Sequence, residues 1–230
     1  MKTFTMVGAI LLSWGSMGFA QTGTAELYQE GIHYLELKQV DPARISDTII
    51  VTEIFSYGCI ACNDFEPFMQ DWKGRQAEDI KLDRIPVGFG RPTWELLAKA
   101  YLIAEIMGIE EEAHVHLMNT IWQDGREFRS LEDLADFYSE FGVGKQEFMA
   151  MDNGFALDMR QNLNATKLNV YSPRSTPTMI VDGKYKVRSS DSVPSYQAML
   201  SVVDFLVEKE RKARMSALGC DFNWSTQHIG

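Results

Sequence analysis

The sequence predicts an α/β domain in which a parallel strand–helix–strand unit is separated from a C-terminal β-hairpin and helix by a long helical insertion. Three observations carry this. The β-branched run Ile49-Ile50-Val51-Thr52 continues into Glu53-Ile54-Phe55 and is followed by a helical pattern and a second alternating run, Ile80 to Pro86. From Thr93 to Val170 the periodicity is helical throughout, with no strand pattern. Asp182-Gly183 then stands between two β-rich runs, and such a pair suits a tight turn in which both positions need positive φ.

The elements follow in order. Met1-Lys2, an apolar run from Phe4 to Trp14 and Gly18-Phe19-Ala20 read as a secretory signal peptide over residues 1–20, cleaved after Ala20. The apolar run is shorter than the ~20 residues that span a bilayer. A polar lead precedes His33 to Leu37, whose alternation suggests a half-buried strand, and Asp41-Pro42-Ala43-Arg44 reads as a turn. The strand Ile49 to Phe55, a helix over Asn63 to Trp72 and the strand Ile80 to Pro86 form the βαβ unit that closes a first part, residues 21–92.

Residues 93–170 form the insertion. Trp94, Leu97, Ala98, Tyr101, Leu102 and Ala104 recur at helical spacing, with Gly108 as the stop. Further helices are expected over Glu111 to Gln123, Leu131 to Phe141 with Ser130 and Asp133 as a capping pair, Lys145 to Met151, and Phe155 to Lys167. Residues 171–215 return to the α/β domain: a hairpin of Thr178 to Val181 and Lys184 to Val187, then a helix from about Pro194 at a first helical position to about Met215. Its buried stripe is Leu200, Val203, Leu206 and Val207. Residues 216–230 are a tail without assigned structure.

The formal net charge is −10, and −11 once Lys2 leaves with the leader. An acidic chain is poorly matched to nucleic acid or anionic membrane surfaces, which argues against both as partners. Hydrophobic residues make up 45% of the chain, enough for a core that needs no disulfide staples. There are three cysteines, a close pair, Cys59 and Cys62, and a distant Cys220. In an exported chain a Cys-x-x-Cys pair is expected to cycle through a disulfide.

The pair sits where strand meets helix. A thiol at a helix N-terminus faces unpaired N–H groups and the positive end of the macrodipole, which favour thiolate over thiol. Zinc would need two further ligands, and His114 and His116, two apart on a helix, point different ways; both read as surface residues. No metal or other cofactor is expected. A purely structural disulfide is the competing reading for the pair. Glu53 lies in a strand that reads as buried, where an unpaired carboxylate is costly, so it is either functional or on an exposed strand face. Cys220 is open to three readings: an inert thiol, an intermolecular bridge or a mixed-disulfide site.

The run Glu53-Ile54-Phe55-Ser56-Tyr57-Gly58-Cys59-Ile60-Ala61-Cys62-Asn63-Asp64-Phe65-Glu66-Pro67, the run Ser175-Thr176-Pro177-Thr178-Met179-Ile180-Val181-Asp182-Gly183-Lys184-Tyr185 and the order of elements around them resemble the DsbA-like thiol:disulfide oxidoreductases. That resemblance implies a thioredoxin-like fold with an inserted α-helical domain over most of the mature chain. It implies that Cys59 forms the mixed disulfide and Cys62 closes the internal one. Thr176-Pro177 would be the cis-proline loop that pairs with bound polypeptide, and Glu53 the buried acid near the second cysteine, with a part in proton transfer. It further implies a periplasmic location, reduced or unfolded exported polypeptides as substrates, and reoxidation by a quinone-linked membrane protein. No dimerisation domain of the kind seen in dedicated periplasmic isomerases precedes the βαβ unit, which weakens an isomerase role; a monomer is expected.

The departure is Ile60-Ala61, where strongly oxidising members carry Pro-His. Neither side chain offers a hydrogen bond or a positive charge to Cys59, so a less oxidising couple is expected. The sequence therefore reads as a dithiol oxidase. It leaves open a disulfide isomerase or reductase kept reduced, or a secreted peptide-binding protein with a structural disulfide.

Overall fold

Ile49–Phe55, almost entirely β-branched or aromatic apart from Glu53, forms the central strand β2 of the sheet. A computed structural model describes residues 26–38 and 48–217. The leader, the Asp41 to Arg44 turn, Cys220 and the tail beyond residue 217 lie outside the described residues. The elements are β1 (Leu35–Glu36), β2, α1 (Ile60–Gly74), β3 (Ile80–Pro86), α2 (Pro92–Met107), α3 (Glu110–Trp122), α4 (Leu131–Tyr138), α5 (Lys145–Ala150), α6 (Phe155–Tyr171), β4 (Thr178–Val181), β5 (Tyr185–Arg188) and α7 (Tyr196–Ala217). Short 3₁₀ turns, Ser139–Phe141 and Met151–Asn153, extend α4 and α5.

The sheet order is β1-β5-β4-β2-β3, with β2 and β3 parallel and the other pairings antiparallel. Five helices, α2 to α6, separate β3 from β4. This is a thioredoxin-like fold with a helical insertion, as the sequence leads one to expect.

Alternation along β2 divides its side chains between two layers. Ile49 and Val51 pack with Phe65, Met69 and Trp72 of α1 and with Met199, Leu200, Val203 and Leu206 of α7. Ile54 points the other way, into a cluster with Ile85, Ile180 and Tyr171 at the end of α6. Phe55, at the end of the strand, joins the core of the insertion beside Tyr101, Leu117 and Leu134. The strand end is thus buried under the insertion, and the chain leaves it directly into the cysteine segment.

Several local signals act as their chemistry requires. Gly108 closes α2 at φ 72°, and Ser130 with Asp133 makes a reciprocal capping box on α4. In the hairpin turn Asp182 and Gly183 both have positive φ, 53° and 62°.

Three expectations are corrected. Within His33 to Leu37 only Leu35–Glu36 forms a strand, because the turn at Gly31, whose N–H donates to the Tyr34 carbonyl at 2.8 Å, occupies the backbone before it. Pro194 is not a first helical residue: α7 starts at Tyr196, and the Ser195 hydroxyl accepts from the Ala198 N–H at 3.1 Å. His114 is not on the surface. It is 1% exposed, on the face of α3 that carries Ala113, Leu117 and Met118, whereas His116 is exposed.

Candidate active site

Cys59 is the N-cap of α1, in extended conformation at φ −100° and ψ 112°. The helix therefore begins three residues earlier than periodicity suggests, and its first turn lies between the cysteines. Cys59 O accepts from the N–H of Cys62 at 3.0 Å and of Asn63 at 3.2 Å. Cys59 is half-buried and Cys62 fully buried, and the pair is unbridged.

The two sulfurs are electrostatically unequal. The Cys62 thiol donates to the Cys59 sulfur, an effect that outweighs burial. With the Thr176 side chain and the N–H groups of Cys62 and Ala61, it brings the Cys59 thiol down to about 5. Burial, that same donor role and the nearby charges of Cys59 and Glu53 push Cys62 far up. Negative charge therefore rests on the more accessible sulfur. Ile60 and Ala61 contribute no side-chain donor to it, as expected.

Thr176-Pro177, joined by a cis peptide bond, precedes β4. The Cys59 thiol lies 3.5 Å from the Thr176 carbonyl oxygen, a contact that serves the thiol form, while the Thr176 side chain serves the thiolate. Trp94 packs against Gly58, the residue before Cys59. A Cβ on Gly58 would overlap its indole ring, and the Arg91 guanidinium stacks on that ring at 4.2 Å. In the sequence Trp94 stands out only as part of a helical period.

Beneath the cysteines lies a buried polar cluster. The parallel register pairs Glu53 with Arg84, placing both side chains on the α1 face of the sheet. Arg84 Nε donates to Glu53 Oε2 at 2.9 Å, and Nη2 donates to Glu66 Oε1 and Oε2 at 3.1 and 3.3 Å. Glu66 also accepts from Gln70 Nε2 at 2.5 Å and lies 3.2 Å from His114 Nε2. His114 Nδ1 is 2.9 Å from the Tyr57 hydroxyl, and Trp122 Nε1 donates to the Tyr57 carbonyl at 2.9 Å.

Burial raises Glu53 to about 7 against the pull of Arg84. Burial pushes Glu66 the same way, but His114, Arg84 and Gln70 outweigh it and hold that carboxyl at about 2. Burial, with the Arg84 charge, lowers His114 and favours the neutral ring.

Of the residues singled out in the sequence, Cys59 and Thr176 are partly exposed and touch, Cys62 and Pro177 are buried behind them in the chain, and Glu53 lies close enough for its charge to act on Cys62. Arg84, Glu66, Tyr57 and His114 were missed. Two left signals: Arg84 falls in phase with Ile80 and Leu82 along its strand, and Glu66 follows Cys62 by one helical turn. Among the described residues no cluster of His, Cys, Asp or Glu is arranged to hold a metal, and no helix is long and apolar enough to cross a membrane.

An accessible thiolate at a helix N-cap, backed by a shielded thiol on a thioredoxin-like sheet, is the working part of the thiol:disulfide oxidoreductases. No family model matches the chain. Curated relatives do. The thiol:disulfide interchange protein DsbA of Pseudomonas syringae pv. tomato is 31% identical over 212 residues, 92% of this chain and 98% of the relative. That of Pseudomonas aeruginosa is 31% identical over 195 residues, 85% of this chain and 92% of the relative. The crystal structure of the oxidoreductase DsbA from Xylella fastidiosa matches with a TM-score of 0.75 at 31% identity, covering 81% of this chain and 99% of the other. Pseudomonas aeruginosa DsbA matches with a TM-score of 0.75 at 32% identity, covering 83% and 98%. The chain belongs to the DsbA family of thiol:disulfide interchange proteins.

Proposed function

We propose that the protein is a periplasmic dithiol oxidase that transfers its Cys59–Cys62 disulfide to reduced, newly exported polypeptides. A substrate thiolate attacks the Cys59 sulfur, forming a mixed disulfide, and Cys62 leaves as a thiolate. A second substrate thiolate attacks the substrate sulfur of that bond and releases Cys59 as a thiolate. Two electrons pass from the substrate dithiol to the enzyme pair, and the substrate leaves as a disulfide.

The observation that carries this reading is the unequal pair. With its thiol at about 5, Cys59 is a stable thiolate and a good leaving group at neutral pH, which drives the second step forward. Cys62, buried and pushed far up, needs a proton when it leaves. Glu53, at about 7, has the proton affinity to supply one. Thr176 and Pro177, against Cys59, would bind the substrate backbone.

The remaining assignments follow the family. Residues 1–20 act as a cleaved signal peptide; 21–92 and 171–215 form the thioredoxin-like domain, 93–170 the helical insertion and 216–230 a tail. The protein works as a monomer and is reoxidised by a quinone-linked membrane partner.

Incubating the oxidised protein with an equimolar reduced dithiol peptide tests the reading. One disulfide formed per protein molecule is expected, and none with Cys59→Ser. A wild-type protein that exchanges no disulfide through Cys59 would leave only a peptide-binding role.

A further inference from the structure

The buried cluster holds two carboxylates and one guanidinium, so its charges do not cancel. Something must decide which carboxylate is the anion. The donors answer this unevenly. Glu66 receives both of its Arg84 contacts from Nη2, a third from Gln70 and a fourth from His114, whereas Glu53 takes the Nε edge of the same guanidinium.

The His114 contact has a definite direction. An ionised carboxylate only accepts, so the ring nitrogen facing Glu66, Nε2, carries the proton. The neutral ring then has a lone pair on Nδ1, and the Tyr57 hydroxyl at 2.9 Å donates to it. Tyr57 is itself pinned through its carbonyl by Trp122. Both tethers come from α3, one from its first half and one from its last residue. They join the insertion to the segment between β2 and Cys59.

We propose that His114 is a positioning residue: it fixes Glu66 as the anion beside Arg84 and so leaves Glu53 as the group that takes up and releases the proton near Cys62. The inference rests on the reading of Glu53 as proton donor and acceptor, and adds what selects it over Glu66. The opposed shifts of the two carboxyls agree with it. So do the groups around the ring. Glu66 of α1, Arg84 of β3, Tyr57 before Cys59, Tyr101 of α2 and Glu111 of α3 all face it, and Phe55 of β2 packs edge-on against it. Arg84 opposes a second positive charge there, so the ring acts as a neutral directional link.

Carbon-13 NMR of the glutamate carboxyls in the reduced full-length protein tests this, with assignments from Glu53→Gln and Glu66→Gln. In the wild type at pH 5 the Glu53 carboxyl is expected in the protonated position and Glu66 in the ionised one. In His114→Leu, which keeps the bulk but loses the donor, the proton is expected to spread to Glu66, changing the Glu66-to-Glu53 occupancy ratio at least tenfold. His114→Gln, which can still donate to Glu66, should restore most of the wild-type ratio. A merely structural His114 would lower the unfolding midpoint of His114→Leu without moving the proton, and that result overturns the proposal. If the leucine variant does not fold, the wild-type spectrum decides: a proton found on Glu66 at pH 5 is equally fatal. Failure of the wild type to oxidise a dithiol peptide is a separate outcome. It removes the functional reading and the catalytic meaning of this assignment with it.

Discussion

Arg84 and Glu53 face each other across the parallel β2–β3 ladder, 2.9 Å apart and only 4% and 1% exposed, with the Glu53 charge reaching Cys62. Their contact joins a strand-register fact to a chemical one. The guanidinium that makes a buried carboxylate tolerable also leaves it close enough to neutrality to exchange protons.

Removing that guanidinium should be severe. Arg84→Met keeps the length of the side chain but leaves Glu53 and Glu66 buried without a counter-charge, a loss of about 3–5 kcal/mol at pH 7. Urea denaturation measures it, and the deficit should shrink as pH falls from 7 toward 4.5, because burial makes the orphaned carboxyls protonate in the folded state well before they do in the unfolded chain.

The two carboxyls should give stability opposite slopes with pH. Glu53, raised from 4.5 to about 7, binds more protons folded than unfolded across that window, so stability falls as pH rises from 4.5 to 7. Glu66, held at about 2, contributes stability that is present above 4.5 and lost as pH falls toward 2. Denaturation midpoints should therefore peak near pH 5. Glu53→Gln should remove the decline on the neutral side, a difference of at most ~3 kcal/mol between pH 5 and 7.5.

Gly58→Ala should displace the Trp94 indole, because the new methyl group occupies its place. A cost of about 1–3 kcal/mol is expected. Trp94 fluorescence should change, and alkylation of Cys59 should quicken as its cover loosens. Native-like fluorescence and unchanged alkylation would show that the indole does not shield the site.

Restoring a donor between the cysteines should make the couple more oxidising. Ile60 is the first residue of α1, where proline is tolerated, so the double variant Ile60→Pro with Ala61→His is compatible with the helix start. A histidine there can donate to Cys59, favour the thiolate and stabilise the reduced form. The reduction potential, measured against glutathione, should rise by roughly 30 mV for each tenfold gain in the equilibrium constant.

Much of this was legible in the chain, and the parts that were not share a cause. The βαβ unit, the insertion helices and the hairpin are local patterns: β-branched runs, helical periods, Ser130 with Asp133, Asp182-Gly183. The redox pair and Thr176-Pro177 are local motifs, and the family resemblance supplied their meeting. Glu53 announced itself as a charge in an apolar strand. Its partners did not, because Arg84, Glu66, Tyr57 and His114 come from four segments and meet only through strand register and helix packing. His114 was misplaced for a related reason. Flanked by Glu110, Glu111, Glu112 and His116, it reads as part of a polar surface until α1 and the end of β2 are packed against its face.

Disulfide exchange through Cys59 depends on where the negative charge sits in the reduced pair. Thiolate absorbance near 240 nm, followed from pH 3 to 9, tests this directly. The reduced wild type should titrate with a midpoint near 5 that disappears in Cys59→Ser and survives, moved upward, in Cys62→Ser, where the thiol donor is gone. A midpoint near the ordinary cysteine value of 9, or a low midpoint that persists in Cys59→Ser, would contradict it.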